Sequence, residues 1–437
     1  MKRLLPFLLL LLLGSCAGSA GSNKTEITLQ RFFGSCDADY GGKTDVAAAE
    51  GECGIITTLV NRFEAENPDV RVRTNVVFWP GYDQLTAQLA ANDEPDLVTM
   101  HASVLPDYQA RDLLEPIGPD LKAAGVDPGR FTPAATRAVT IDGRIYGMPF
   151  DTWAPLWHIN MNEFRRAGLV RGGRPVLPTN PRELLEQAEQ FKRRTGKPYF
   201  VQISANEYAT YARNLYTSLM QQGSGFFADK SRVSLQTPQA KRILELFAQL
   251  FARDLTTKNQ DYSAATSAFL NGGGGVLLTG TWMVGTHDLE SKKPGSALFQ
   301  GYAVVPYPRL FGGQEAYYAD GHNWVMPVDP RRTPAEKQAT LRLMKFLADH
   351  DLDWARTGHL PVFRDIIDSA AFRQLPHRAT YSALTTKGAP LPDGVRRQYP
   401  IETIIGEESA AAISGNKPVD QALRDAETRI NRLLSNI

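Results

Sequence analysis

The stretch Gly143-Arg144-Ile145-Tyr146-Gly147-Met148-Pro149-Phe150-Asp151-Thr152-Trp153-Ala154-Pro155-Leu156-Trp157 cannot be helical at either end of its aromatic and acidic centre. Asp142-Gly143 is a turn that closes one short alternating run, Ala138 to Ile141, and starts another. Pro149 and Pro155 fix their own φ and push the preceding residue toward extended backbone. Phe150, Asp151 and Trp153 are therefore expected on extended chain and not on a helix face. Large rings and a carboxylate on a stiff crossover suit a polar, ring-shaped ligand. They suit equally a buried strand whose Trp fills core, since buried aromatics are common. The stretch alone leaves both readings open.

Outward from it, the chain begins Met1-Lys2-Arg3, runs apolar from Leu4 to Leu13, and reaches Gly14-Ser15-Cys16. A basic start, a short apolar run and small residues make a secretory signal peptide over 1–15. The run is too short to span a bilayer. Leu13-Gly14-Ser15-Cys16 resembles a bacterial lipobox, in which the Cys receives lipid and becomes the mature N-terminus. Residues 16–25 are small or polar and read as a tether. The expectation is an exported chain, lipid-anchored to a membrane in the periplasm or at the cell surface through Cys16.

The 437 residues carry 48 basic and 47 acidic side chains, and loss of Lys2 and Arg3 with the leader takes the net charge from +1 to −1. That balance argues against a nucleic-acid surface or a polybasic membrane patch. The length allows two ample cores. Beyond Cys16 only Cys36 and Cys53 remain, enclosing 16 residues, an even pair in an oxidising compartment. A disulfide between them would contribute roughly 3 kcal/mol in the loop-entropy model. The spacing is not CxxC and no His lies inside the loop, which counts against a metal or redox pair.

Alternation predicts strands over Glu26–Phe33, Val70–Phe78 and Asp96–Met100, with helices between them at 54–66 and 82–91. That order argues a parallel α/β sheet, with ligands beyond the C-terminal strand ends. Phe32, Phe33, Trp79, Met100 and His101 fall there. Pro116 to Pro133 reads as linker-like surface. Further helices are expected at 182–195, 208–221, 237–253, 263–271, 333–348, 403–415 and 418–434, and strands at 199–203, 276–278 and 302–305.

Hydrolase, metalloprotease and kinase motifs are missing. Gly41-Gly42-Lys43-Thr44 fails as a phosphate loop because position 37 is Asp37 and not Gly. Glu407-Glu408 reads as a solvated helix face, and no His pair has metal-ligand spacing on one helix. No metal or cofactor is expected. What stands out is aromatic. Trp79, Trp153, Trp157, Trp282 and Trp324 fall at strand ends or in turns. Sugar C–H faces stack on such rings, while hydroxyls need directed acceptors such as Asp151, Glu207 or Asn323.

These features together resemble the extracellular solute-binding proteins of ABC transporters, in the group that includes maltose-binding protein. The matching stretches are the GxxYGxP segment from Gly143 to Phe150, Asn160 with Phe164, and Phe269 through Gly280-Thr281-Trp282. The WxxxGxLPV segment from Trp354 to Val362, the stretch Ile401 to Leu434 and the lipobox match too. The sequence departs from the pattern at the four glycines before Val276 and in the Cys36–Cys53 loop.

The resemblance implies an α/β, two-lobe periplasmic-binding-protein fold of type II with a ligand cleft between the lobes. Lobe 1 would be 26–149 plus 306–354, and lobe 2 would be 150–305 plus 355–437. It implies a first crossover at Pro149–Ala154 and ligand contacts from His101, Trp153, Glu207, Tyr208, Tyr211, Trp282, His322 and Asn323, to which the strand-end and crossover readings add Phe33, Trp79 and Asp151. Trp157, deeper in the following strand, is expected in core. The implied function is the substrate-binding component of an importer. It would act as a monomer, take a small carbohydrate, expected to be an oligosaccharide, and deliver it to an ABC permease. One alternative is sn-glycerol-3-phosphate or a related ester, for which Arg396 or Arg397 would have to enter the cleft. A remoter one is a secreted glycoside hydrolase with Asp151 and Glu207 as its two carboxylates.

Overall fold

A computed structural model describes residues 24–392 and 395–436, so the leader and Cys16 lie outside the described residues. Two sheets organise the chain. The first is built from β1 (Thr25–Arg31), β2 (Val70–Val76), β3 (Leu97–His101), β4 (Met148–Pro149) and, from much later in the chain, a strand at His322–Val325. The second takes β5 (Pro155–Asn160), β6 (Phe200–Val201), β7 (Val276–Gly280) and β8 (Tyr302–Pro306). With His322–Val325 as β9, the orders are β2-β1-β3-β9-β4 and β6-β7-β5-β8.

The sequence predicts a parallel sheet, and β1, β2 and β3 are parallel. β9 runs antiparallel to β3 and β4, and β5 runs antiparallel to both of its neighbours. The cause is topological. Both reversed strands directly follow a crossing from the other lobe. A chain crossing the cleft enters a sheet at the C-terminal ends of its parallel strands, and must then run backwards along them.

Each sheet has its own core. Leu29, Ile55, Ile56, Leu59, Phe63, Trp324 and Trp354 belong to the first. The helix Gly51–Glu66 supplies four of them, spaced to place one apolar face on the sheet. Trp153, Trp157, Phe164, Phe191, Leu215 and Ile405 belong to the second. Trp157 is fully buried against Tyr199, Phe200 and Tyr307. The stretch 116–133 is not a linker. It holds the short helix Gly118–Ala123 and puts Leu121 and Val126 into the first core. Pro119, Pro128 and Pro133 sit in first turns, where they start helices and do not break them. Glu408 is not solvated either: it is buried and ion-paired with Lys417 and Arg429 where the last two long helices meet.

Three segments join the cores, and they pair with one another. Trp153 and Asp320 exchange backbone hydrogen bonds of 2.8 and 3.0 Å, and Thr152 and Leu360 exchange two of 2.9 Å. Phe150 lies in the first core and Trp153 in the second, Ala319 in the second and Trp324 in the first. Trp354 lies in the first, Leu360 in the second and Val362 in the first again. The packing is backbone on backbone. A Cβ on Gly321 would stand 2.4 Å from the Asp151 carbonyl oxygen. Gly358, at φ +126°, lies so close to the Thr281 carbonyl that a Cβ would come within 1.9 Å of it.

Candidate functional site: the interlobe cleft and its hinge

The extended, proline-bracketed chain at 150–154 turns its two candidate side chains, Asp151 and Trp153, to different surroundings. Asp151 turns into the hinge, where it is fully buried. It accepts from the His322 backbone N–H at 3.1 Å, from His322 Nδ1 at 2.9 Å and from Trp354 Nε1 at 2.8 Å. Burial pushes its carboxyl up, but the neighbouring His322 and His359 and these hydrogen bonds bring it below the usual carboxylate range. His359 stands 3.7 Å from the same carboxylate and gives its Nε2 to Glu52 at 2.8 Å. Among the described residues, Asp151, His322 and His359 are the one set of three such groups whose ligand atoms lie within 4.8 Å of one another. The Asp151 carboxylate is engaged by His322 and Trp354, and His359 Nε2 by Glu52, so the three groups cluster at the hinge within a hydrogen-bond network.

Trp153, two residues on, is buried in the second core directly behind Arg213, which lines the cleft. Its ring lies edge-on to Trp282 at 5.6 Å and to His101 at 5.9 Å. Arg213, from the helix Ala209–Gln221, lays its guanidinium 4.5 Å from the Trp153 centroid and 5.7 Å from that of Trp79 in the other lobe. Its Nε and Nη2 both go to Glu402 at 3.1 Å, a buried fork that leaves Nη1 as the uncommitted edge. Burial alone would pull this guanidinium down, and Glu402 more than offsets it.

Around this pair the lobes enclose a narrow space lined by Trp79, His101 and Ser103 on one side and Tyr216, Tyr318 and Gln398 on the other. Its free room is about that of a single water molecule. Asp320 sits at the floor and accepts from Ser103 Oγ at 2.6 Å and from the Gly321 N–H at 2.8 Å. Burial raises its carboxyl above the usual range. Burial also raises Glu207 and lowers the His101 imidazole well below its ordinary value, so His101 is neutral. Trp153 Nε1, Tyr216 Oη and Gln398 Oε1 are buried with no hydrogen-bond partner among the described residues.

The nominated residues thus divide. Trp79 and His101 line the space beside Arg213. Trp153 touches its Arg213 wall, and Trp282 adjoins Trp153, its Nε1 donating to Tyr262 Oη at 3.0 Å. Tyr211 is buried and Tyr208 partly exposed at the start of the helix that carries Arg213. Asp151 and His322 hold the hinge, and Phe33 packs beneath it against Trp354 at 4.8 Å. Asn323 is buried with its Cβ against Gly147. Arg213, Asp320 and Glu402 were not nominated. Arg213 lies three residues before Tyr216 on one helix face, a spacing that would have exposed it. Glu402 falls one residue before the expected helix start, whereas the helix actually spans Gln398–Ile413.

The bacterial extracellular solute-binding protein family matches residues 58–380, and the chain belongs to it. A putative binding protein of Brucella abortus (strain 2308) is 24% identical over 434 residues, covering 96% of this chain and 95% of that one. The sn-glycerol-3-phosphate-binding periplasmic protein UgpB of Escherichia coli (strain K12) is 23% identical over 420 residues, 88% of this chain and 90% of that one. Among solved structures, maltose-bound MalE3 of T. maritima superposes with a TM-score of 0.77 at 18% identity, covering 94% of this chain and all of that one. The fold is the two-lobe periplasmic-binding-protein fold.

Proposed function

We propose that this protein captures a neutral carbohydrate, an oligosaccharide in particular, between its lobes and delivers it to an ABC permease. The observation that carries the reading is the composition of the cleft. Aromatic rings from both lobes, Trp79 on one side and Tyr216, Tyr318 and Tyr399 on the other, line the space beside Asp320, Glu402 and unpartnered polar atoms, with Trp153 and Trp282 behind the Arg213 wall, and the one arginine among the described lining residues is already held by Glu402. Rings supply stacking surface and the carboxylates accept from hydroxyls. The maltose in the T. maritima neighbour is of the same ligand class. A thermal-shift screen over mono-, di- and trisaccharides, polyols and phosphate esters tests it, because a bound ligand stabilises by mass action. Stabilisation by phosphate esters alone would reverse the choice.

The phosphate-ester reading draws on the similarity to UgpB. It fits the cleft less well. Asp320, Glu207 and Glu402 outnumber Arg213, while Arg397 is exposed and its backbone N–H goes to Asp107. Salt-insensitive affinity favours the neutral sugar, since an anion's binding would weaken with ionic strength. A hydrolase would need Asp151 facing the substrate, and Asp151 is spent on the hinge. Recovery of the sugar unchanged after long incubation separates binding from hydrolysis. Attachment of lipid at Cys16 and a monomeric state complete the reading. The mass of the mature N-terminal peptide and size-exclusion chromatography check them. Among the described residues no helix is long and apolar enough to cross a membrane.

A further inference from the structure

The hinge holds one titratable group from each crossover, Asp151, His322 and His359, and a fourth, Glu52, from outside it. Glu52 lies in the first turn of the helix Gly51–Glu66, next to Cys53, which is bonded to Cys36. The loop closed by that bond is fastened to the third crossover. Arg356 donates Nη1 to the Val46 carbonyl at 2.7 Å and Nη2 to those of Ala47 and Ala49 at 3.0 and 2.6 Å. Gly358, beside His359, rests on Thr281 and Val284 of the second lobe. The path from Glu52 through His359 therefore runs from a first-lobe helix to the backbone on which the second lobe turns. It is formed while Trp79 and Arg213 meet across the cleft.

We propose that Glu52 and His359 are positioning residues for the ligand cleft: with His359 protonated between Glu52 and Asp151, they hold the three crossovers in the lobe-closed pairing, and loss of that proton lets the lobes swing apart. The assignment of lobe closure to ligand capture rests on the solute-binding reading. The hinge device itself does not.

The groups facing His359 set its charge. Burial opposes the imidazolium, but Asp151 and Glu52 outweigh it, and the net direction is upward from 6.5. Arg378, which donates to the Ala355 carbonyl, opposes the charge from the helix Arg378–Tyr381. The His322 ring lies edge-on at 5.4 Å, the Trp354 ring stacks at 5.4 Å, and Thr281 Oγ1 lies 3.4 Å from Nδ1. Asp351 is the confounding group. Burial pushes its carboxyl up to about 8, and Asp151 adds to that. A raised histidine is bound to its proton more tightly in the folded state. Its contribution is full below about 6.5 and is lost as pH rises through the folded value. Asp351 loses stability in the same direction, so only variants separate the two.

The test uses the mature, oxidised protein with no sugar added. Thermal midpoints and radius of gyration from X-ray scattering are followed from about pH 6 to about pH 9. Wild type is expected to expand in one step as pH rises above about 6.5, with the thermal midpoint falling over the same range. His359→Gln keeps a donor for Glu52 without a titrating proton and should abolish the step in radius. Asp351→Asn should keep it. Glu52→Gln alters a side chain that is 25% exposed, is expected to fold, and should move the step to lower pH. A wild-type radius flat with pH, or the same step in both His359→Gln and Glu52→Gln, overturns the proposal. Failure to find any binding sugar would leave these measurements untouched.

Discussion

Arg213 is the residue on which the cleft's chemistry turns, because among the described residues it is the one cation lining a space that also holds Asp320 and Glu402. Glu402→Gln keeps the shape of the fork and removes its charge. The uncompensated buried guanidinium is expected to cost about 3–5 kcal/mol of stability, measured by urea unfolding, since breaking one side of a buried pair leaves the other charge stranded. The variant should also raise affinity for phosphate esters relative to neutral sugars, which calorimetry would show. Trp282 and Trp157 make a second contrast. Trp282 is partly buried beside Trp153, and Trp282→Ala should weaken sugar binding by about 2 kcal/mol or more with the fold intact. Trp157 is enclosed by Tyr199, Phe200 and Tyr307, and Trp157→Ala should cost about 3–5 kcal/mol of stability. The reverse pattern would mean that the ligand lies deeper in the second lobe than Trp153.

At the scale of elements, the strands after the first two crossovers and the loop before the helix Gly51–Glu66 carry most of what is unusual. Reversal of β5 and β9 could not be read from alternation, because a strand's pattern is the same in either direction. The stretch 143–157 was legible for a local reason: two prolines exclude helix, whatever the rest of the chain does. Arg213 shares a helix face with Tyr216, but its pairing with Glu402 was not legible, because the two lie 189 residues apart. Asp151 was legible as a special carboxylate but not as a hinge group, since His322 and Trp354 reach it only in the folded chain. The disulfide loop ties two such distant parts. Replacing Cys36 and Cys53 by Ser should cost roughly 3 kcal/mol from loop entropy. It should also loosen Arg356 from the Val46 and Ala49 carbonyls, seen as faster hydrogen exchange across 355–359.

At the scale of the whole molecule, the lobes meet across the cleft through side-chain contacts, His101 against Trp153 and Asp107 on the Arg397 N–H among them. Trp79 rests on Arg213 in front, and Tyr82 lies edge-on to Tyr399 at 5.6 Å. The room between them holds about one water, far less than a sugar ring needs, so a ligand enters only after rotation about the paired crossovers. A cation–π contact of this kind contributes about 0.5–2 kcal/mol, which shifts an open–closed equilibrium by roughly 2- to 30-fold. Trp79→Ala should therefore enlarge the radius of gyration of the sugar-free protein. Sugar can restore the compact form only through its own differential affinity for the closed lobes. The restoring concentration should exceed that of wild type, because Trp79 also lines the ligand space. At a free concentration one hundred times Kd the ligand should stabilise either protein by about 2.7 kcal/mol, so midpoints compared at equal saturation must agree in their ligand increment. A Trp79→Ala protein as compact as wild type without sugar would show that the lobes are held by the hinge alone, and would shift the control of closure from the cleft to the crossovers.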